Sequence, residues 1–242
     1  MCEINEKIRE KLNFLADENS KDFVDFSKNI LVSKKKIIGA RVPDMRKIAK
    51  DLSKNLSFEN LISVIENCDK NVYEEVFVCG IIISYSKLPD EEKIKAIKIY
   101  LEFVDSWALI DSAIMIKNFE KTNENLWAEF VEECIVSQKE FVVRFGVVFM
   151  LHHFISETKI DWVFENLRKI KHDGYYVKMA VAWLYAESAR DFFDKTTNEL
   201  NKKEMNAWIR NKTLQKILES YRILSDKKEF IRNLKRASRA SI

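Results

Sequence analysis

Glycine occurs four times and proline twice in 242 residues. Average usage is roughly 7 % and 5 %. Hairpins and tight turns draw on these two residues, because few others accept a positive φ or pre-set a turn. A chain this poor in both folds most economically as helices joined by short polar breaks. The apolar spacing agrees, and predicts helices over 3–16, 20–30, 43–54, 57–67, 71–86, 90–103, 105–117, 123–137, 139–156, 159–170, 174–190, 204–221 and 226–236. Ser57, Asp90 and either Asp105 or Ser106 stand where N-caps belong. Pro43 falls close to a helix start, where its missing N–H does little harm.

The most apolar of these helices, 71–86, 105–117, 139–156 and 174–190, have the composition of helices covered on both sides. Tyr73, Trp107, Arg144 and Trp183 sit in their first halves, 34, 37 and 39 residues apart. That interval is the period of a helical-repeat solenoid of the HEAT or armadillo kind. The expected fold is therefore all-α, an α-α superhelix in a single domain over 1–242, with a concave wall shared by Trp107, Asp111, Arg144 and Trp183.

The net charge of +3 conceals a division. Residues 201–242 carry 12 Lys/Arg against 4 Asp/Glu, whereas the first 200 carry 29 against 34. A second basic island, Lys28 to Lys50, holds 8 basic residues against Asp44 alone. Localised basic charge is what a polyanion partner needs, although a solvated helix face looks the same in sequence. The cysteines, Cys2, Cys68, Cys79 and Cys134, form no C-x-x-C pair. This argues against a zinc or redox site and for a reducing compartment. The charged, amphipathic "MCEINEKIREKL" is no signal peptide, and "FGVVFML" is too short to cross a bilayer. A cytoplasmic monomer without metal or cofactor is expected.

"SWALIDSAI" places Asp111 one turn after Trp107 inside an apolar run. A carboxylate there is either satisfied locally, with Ser112 and Lys117 near in sequence, or held beside an aromatic face to stabilise a developing cation or orient a water. Arg144 is the sole charge between Phe141 and Leu151. Its partner is Glu140 one turn earlier or an external anion. Gly146 costs roughly 1 kcal/mol relative to Ala inside a helix, which implies close approach by another group. Trp183 is a core residue or a wall of the same site. His152 and His153 are adjacent, with no H-x-x-x-H or H-E-x-x-H spacing for a metal. No P-loop, Rossmann or G-x-S-x-G pattern is present.

"IIGARVPDMRKIAKDL" resembles the Gly-x-(Arg/Lys)-x-Pro-x-x-Arg-x-(Leu/Ile)-x-Lys signature of AlkD-like DNA alkylation repair proteins. "SWALIDSAI" is similar to that family's Trp-x-x-x-Asp segment, "FVVRFGVVFML" to its single-arginine helix and "YYVKMAVAWLYAES" to its late Trp helix. "NKTLQKILESYRIL" and "FIRNLKR" resemble the basic tail of one branch, here 201–242. The resemblance covers nearly the whole chain. It implies HEAT-like repeats around a concave groove for alkylated double-stranded DNA, and a glycosylase releasing cationic N3- and N7-alkylpurines without a base-flipping pocket. It makes Asp111 the catalytic carboxylate, Trp107 and Trp183 aromatic walls and Arg144 a cleft contact. The basic islands then hold phosphates through Lys35, Arg41, Arg46, Lys212, Arg222 and Arg232, and Lys178, outside both islands, is a further DNA-binding candidate. One departure stands out: active members carry Arg three residues after the late Trp, where this chain has Ala186. That phosphate contact is missing, or comes from Lys178 or Arg222. The alternatives are a non-catalytic binder of damaged or branched DNA of the same family and a HEAT-type protein–protein scaffold.

Overall fold

The computed structural model describes residues 3–17, 21–113, 115–116 and 119–240, without the side chains of 17 and 237–240. Cys2, Lys117 and the last two residues lie outside it. The described residues form fourteen α-helices: α1 Glu3–Asp17, α2 Lys21–Leu31, α3 Val42–Leu52, α4 Phe58–Asn67, α5 Tyr73–Tyr85, α6 Asp90–Leu101, α7 Trp107–Ala113, α8 Glu124–Ile135, α9 Glu140–His153, α10 Ile160–Lys169, α11 Tyr175–Asp191, α12 Phe193–Leu200, α13 Ala207–Glu219 and α14 Ser225–Ala240. Short 3₁₀ turns cover Ser53–Asn55 and Phe119–Lys121. The all-α expectation holds. Among the described residues no helix is long and apolar enough to cross a membrane.

The chain divides into two compact units, Met1–Phe130 and Val131–Ile242. In the first, α3 packs on α5 and α5 on α7, with α4 behind α5 and α6. In the second, α9 packs on α11 and α11 on α13. These alternate helices start at residues 42, 73 and 107, and at 140, 175 and 207. A repeat of one helix pair is therefore real, but its markers drift. Trp107 opens α7, whereas Arg144 and Trp183 lie one and two turns into α9 and α11. The helix starts keep the period and the bulky residues do not.

Helix α5 shows why such a run needs cover on both sides. Every residue from Tyr73 to Ser84 is buried. Full burial of each Ile or Phe contributes about 1.5–3 kcal/mol. Its acidic pair is paired rather than exposed. Glu75 accepts from Arg9 Nε at 2.9 Å and from the Asp69 N–H at 2.7 Å. Gly146 has its explanation in the second unit, where a Cβ would meet Cys134 and Ile135 of α8 at 3.0 Å.

Three local expectations need correction. Helix α7 is described over Trp107–Ala113 and residues 115–116 are not helical, so it does not run to 117; the Ser84 hydroxyl of α5 donates to the Ala113 carbonyl at 2.7 Å. That bond satisfies a C-terminal acceptor which another helical turn would otherwise take. Asp90 is not the cap of α6. Pro89 holds the N-cap position, and the Asp90 carboxylate accepts the Asn123 N–H at 2.6 Å. Helix α12 stands in a segment with no predicted helix. Its Thr-Thr-Asn sequence is a weak helix former, and burial of Thr196, Thr197, Glu199 and Leu200 overrides that propensity. Ser57 caps α4 as expected, accepting the Asn60 N–H at 3.3 Å.

Candidate active site

The first unit contains a cavity of about 380 Å³, open between α2, α3, α5 and α7. Trp107 and Asp111 line it from α7, Phe23, Phe26 and Ile30 from α2, Arg46 from α3, and Tyr73 and Glu74 from α5. Its walls are mostly apolar. Trp107 is held in place, since its indole Nε1 donates to the Ile30 carbonyl at 3.1 Å. The two candidate caps of α7 add to this clamp. Asp105 accepts from the Ser33 hydroxyl at 2.8 Å and the Lys34 N–H at 2.9 Å, and Ser106 donates to the Leu31 carbonyl. The segment after α2 is thus tied to the start of α7 by side chains. This fixes the ring that forms one wall.

Across the cavity, the "GARVP" stretch is pinned on Glu74. Both Glu74 oxygens accept the Ile38 N–H at 3.1 Å, and one takes the Gly39 N–H at 2.8 Å. Gly39 has φ +102° and sits against Val24, so a side chain there would be both strained and crowded. Burial raises the Glu74 carboxyl above the usual carboxylate range, while the loop N–H groups oppose that shift. The anchored loop delivers Arg41, whose guanidinium lies 5.0 Å over the Phe23 ring, and starts α3, which carries Arg46.

Asp111 is half-buried and faces this space. Ser112 is not its partner, because the Ser112 hydroxyl donates to the Leu109 carbonyl at 2.9 Å. Tyr73 feels the carboxylate. Its hydroxyl is pushed well above its ordinary range by burial first, then by the negative fields of Glu74, Asp105 and Asp111. A tyrosine so held stays neutral and protonated. The site thus has a carboxylate on an aromatic wall, in an open and largely apolar recess with an arginine among its lining residues. Such a recess suits a substrate that develops positive charge beside Trp107 and Asp111.

In the second unit Trp183 lines a separate pocket of about 280 Å³ with Ala186, Glu187, Lys216 and Arg222. Its Nε1 donates to Glu187 Oε1 at 3.4 Å, and Glu187 Oε2 accepts from Arg222 at 3.3 Å. Arg222 therefore stands at the pocket where Ala186 brings no charge. Lys216 is held below the usual lysine range, by burial first and then by the neighbouring Lys212. Arg144 is buried, 5 % exposed, and donates to the Tyr176 carbonyl at 3.0 Å. Glu140 accepts the Tyr176 N–H at 2.7 Å, so the two side chains engage the N–H and the carbonyl of one residue.

The remaining predicted cations each have a partner nearby. Lys35 donates to the Lys70 carbonyl at 2.7 Å. Lys178 pairs with Asp173 at 3.0 Å and lies 5.6 Å over Trp208. Lys212 donates to Gln215 and Arg232 to Glu229. Sequence reasoning missed Glu74, Glu187 and Lys216. Glu74 carried one signal, an acid opening the most apolar helix. Glu187 carried another, since it repeats the i, i+4 relation of Trp107 to Asp111. No group of three or more His, Cys, Asp or Glu suited to a metal occurs among the described residues.

The architecture is thus a helical-repeat protein with a carboxylate–tryptophan recess. Residues 8–217 match the model of the DNA alkylation repair enzyme family, and the chain belongs to that family. The match spans the recess, Arg144 and Trp183, and ends before Arg222 and Arg232. No curated protein matches the chain.

Proposed function

We propose that this protein hydrolyses the N-glycosidic bond of cationic N3- or N7-alkylpurines in duplex DNA. The observation that carries the reading is the juxtaposition of Asp111 and the clamped Trp107 in one largely apolar cavity, with Arg46 on its edge. Alkylation at N3 or N7 makes the purine cationic and a good leaving group. As the C1′–N bond breaks, its electron pair returns to the purine, which departs neutral, and the deoxyribose gains oxocarbenium character. Asp111 stabilises that charge more in the transition state than in the ground state and aligns a water. Water oxygen bonds to C1′ and its proton passes to Asp111 or solvent. The indole face adds cation–π attraction of about 0.5–2 kcal/mol. A substrate already carrying positive charge needs no separate general acid.

Phosphate contacts come from Arg41, Arg46 and the basic segment after residue 201, and Arg222 takes the role left open at Ala186. A duplex carrying one N7-methylguanine, incubated in excess enzyme, should release the free base at a rate well above spontaneous depurination. No release above background would reject the enzyme. A non-catalytic binder of damaged DNA is the second reading. The observation favouring it is Ala186 itself, buried and uncharged beside Trp183. Salt-sensitive duplex binding without base release would select it.

A further inference from the structure

A third recess, of about 490 Å³, lies in the first unit at the C-terminal ends of α3 and α5 and the start of α6. Five lysines line it, Lys50, Lys54, Lys87, Lys93 and Lys121, against one carboxylate, Asp90. Asp90 is already engaged by the Asn123 N–H, and Lys54 pairs with Asp51 at 3.0 Å. Lys93 is the unusual member. It is 6 % exposed, and no hydrogen bond or ion pair to it exists among the described residues. Its stem is covered by protein while the ammonium still reaches the recess, and only the field of Asp90 offsets its partial loss of hydration. Lysines at helix C-termini complement the helix dipole and need no ligand. Lys93, in the first turns of α6, sits at the wrong end for that explanation. Burial accordingly pulls it below the usual lysine range.

We propose that this lysine-lined recess is a phosphate-binding site, distinct from the Trp107–Asp111 cavity. The favoured source is the backbone of the bound nucleic acid, and that choice of source rests on the proposed function. Arg46 lines the catalytic cavity, and Lys50 and Lys54 line this recess. The three follow at intervals of four residues along one exposed face of α3 and its 3₁₀ extension. At about 1.5 Å per residue they span about 12 Å, or three to four nucleotides of one strand. A strand whose sugar meets Asp111 would then place a downstream or upstream phosphate over Lys93.

The test uses the full chain and two probes, tripolyphosphate in calorimetry and an undamaged duplex in anisotropy over a salt series. Lys93→Met should weaken tripolyphosphate about tenfold, the loss of one charge-assisted contact. It should also lower the salt slope of duplex binding by about 0.9, one phosphate. Its thermal midpoint should not fall, because methionine keeps the covered stem and only the ammonium is removed. Lys87→Gln with Lys121→Gln, both exposed, should weaken both probes in the same sense. If tripolyphosphate binding depends on Lys93 while the duplex slope does not change, the recess is a phosphate site for a free ligand. If the wild type binds no duplex yet holds tripolyphosphate through Lys93, the phosphate site stands and the DNA reading falls. If neither probe depends on Lys93, or if Lys93→Met only lowers the midpoint, the lysine is structural and the proposal is overturned.

Discussion

Two tryptophans, each with an acid four residues later, sit in different units and are used differently. In the first unit the Trp107 N–H is turned away from its acid and donates to the Ile30 carbonyl. Asp111 then faces an apolar recess. In the second unit the Trp183 N–H goes to its own acid, Glu187, and Arg222 takes the other oxygen. Glu187 is spent on neighbours, and its pocket presents Lys216 and Arg222 instead. The same spacing leaves a carboxylate facing an apolar cavity in one place and a carboxylate engaged by its neighbours in the other. What separates them is the group that receives the indole N–H, a backbone carbonyl or the acid itself.

The sharpest way to break this comparison is to remove the charge from each acid. Glu187→Gln should leave single-turnover base release within about threefold of wild type. Asp111→Asn should lower it by about 10²–10³, the usual loss for one transition-state electrostatic contact. Equal losses would mean the two sites act alike. Arg144→Ala should be felt mainly in stability. Its buried guanidinium bonds the Tyr176 carbonyl, and the loss should be about 1.5–3 kcal/mol in urea unfolding. A variant of native stability with weakened DNA binding would place Arg144 on the ligand instead.

Arg222→Ala should reduce duplex affinity and lower the salt slope by about 0.9, with the rate of the saturated complex nearly unchanged. A collapse of that rate would move Arg222 into the chemistry. The smallest effect concerns pH. Lys216 is held below its ordinary value in the native state, so the unfolded chain binds more protons between the two values. Stability should therefore rise with pH as it climbs through the depressed value towards about 10.5, and Lys216→Met should flatten that rise. A steeper rise in the variant would contradict the burial of Lys216.

The helices were legible because burial of whole faces writes a long, regular signal, as in Tyr73–Ser84. Trp107 and Asp111 were legible for the opposite reason, a polar residue breaking such a run. What was not legible depends on contacts far apart in sequence. Glu74 reads as one more charge at a helix start, and only the fold places it under the Gly39 loop, 35 residues away. The end of α7 was misjudged: residues 115–116 are not helical, and Ser84, 29 residues before Ala113, engages the Ala113 carbonyl. Helix α12 was missed because its local propensity is poor and its packing decides. Arg222 was named for the gap at Ala186 by charge alone, and its bond to Glu187 beside Trp183 could not be read from the sequence.

The central claim is that Asp111 stabilises the departing state rather than holding the DNA or the fold. The direct measurement takes Asp111→Asn on a duplex with one N7-methylguanine, reading affinity by anisotropy and base release by single turnover on the same sample. The account predicts affinity within about twofold of wild type, unfolding unchanged, and release slower by about 10²–10³. Loss of affinity in step with rate, or an unfolded variant, would show that the carboxylate binds or builds instead of catalysing.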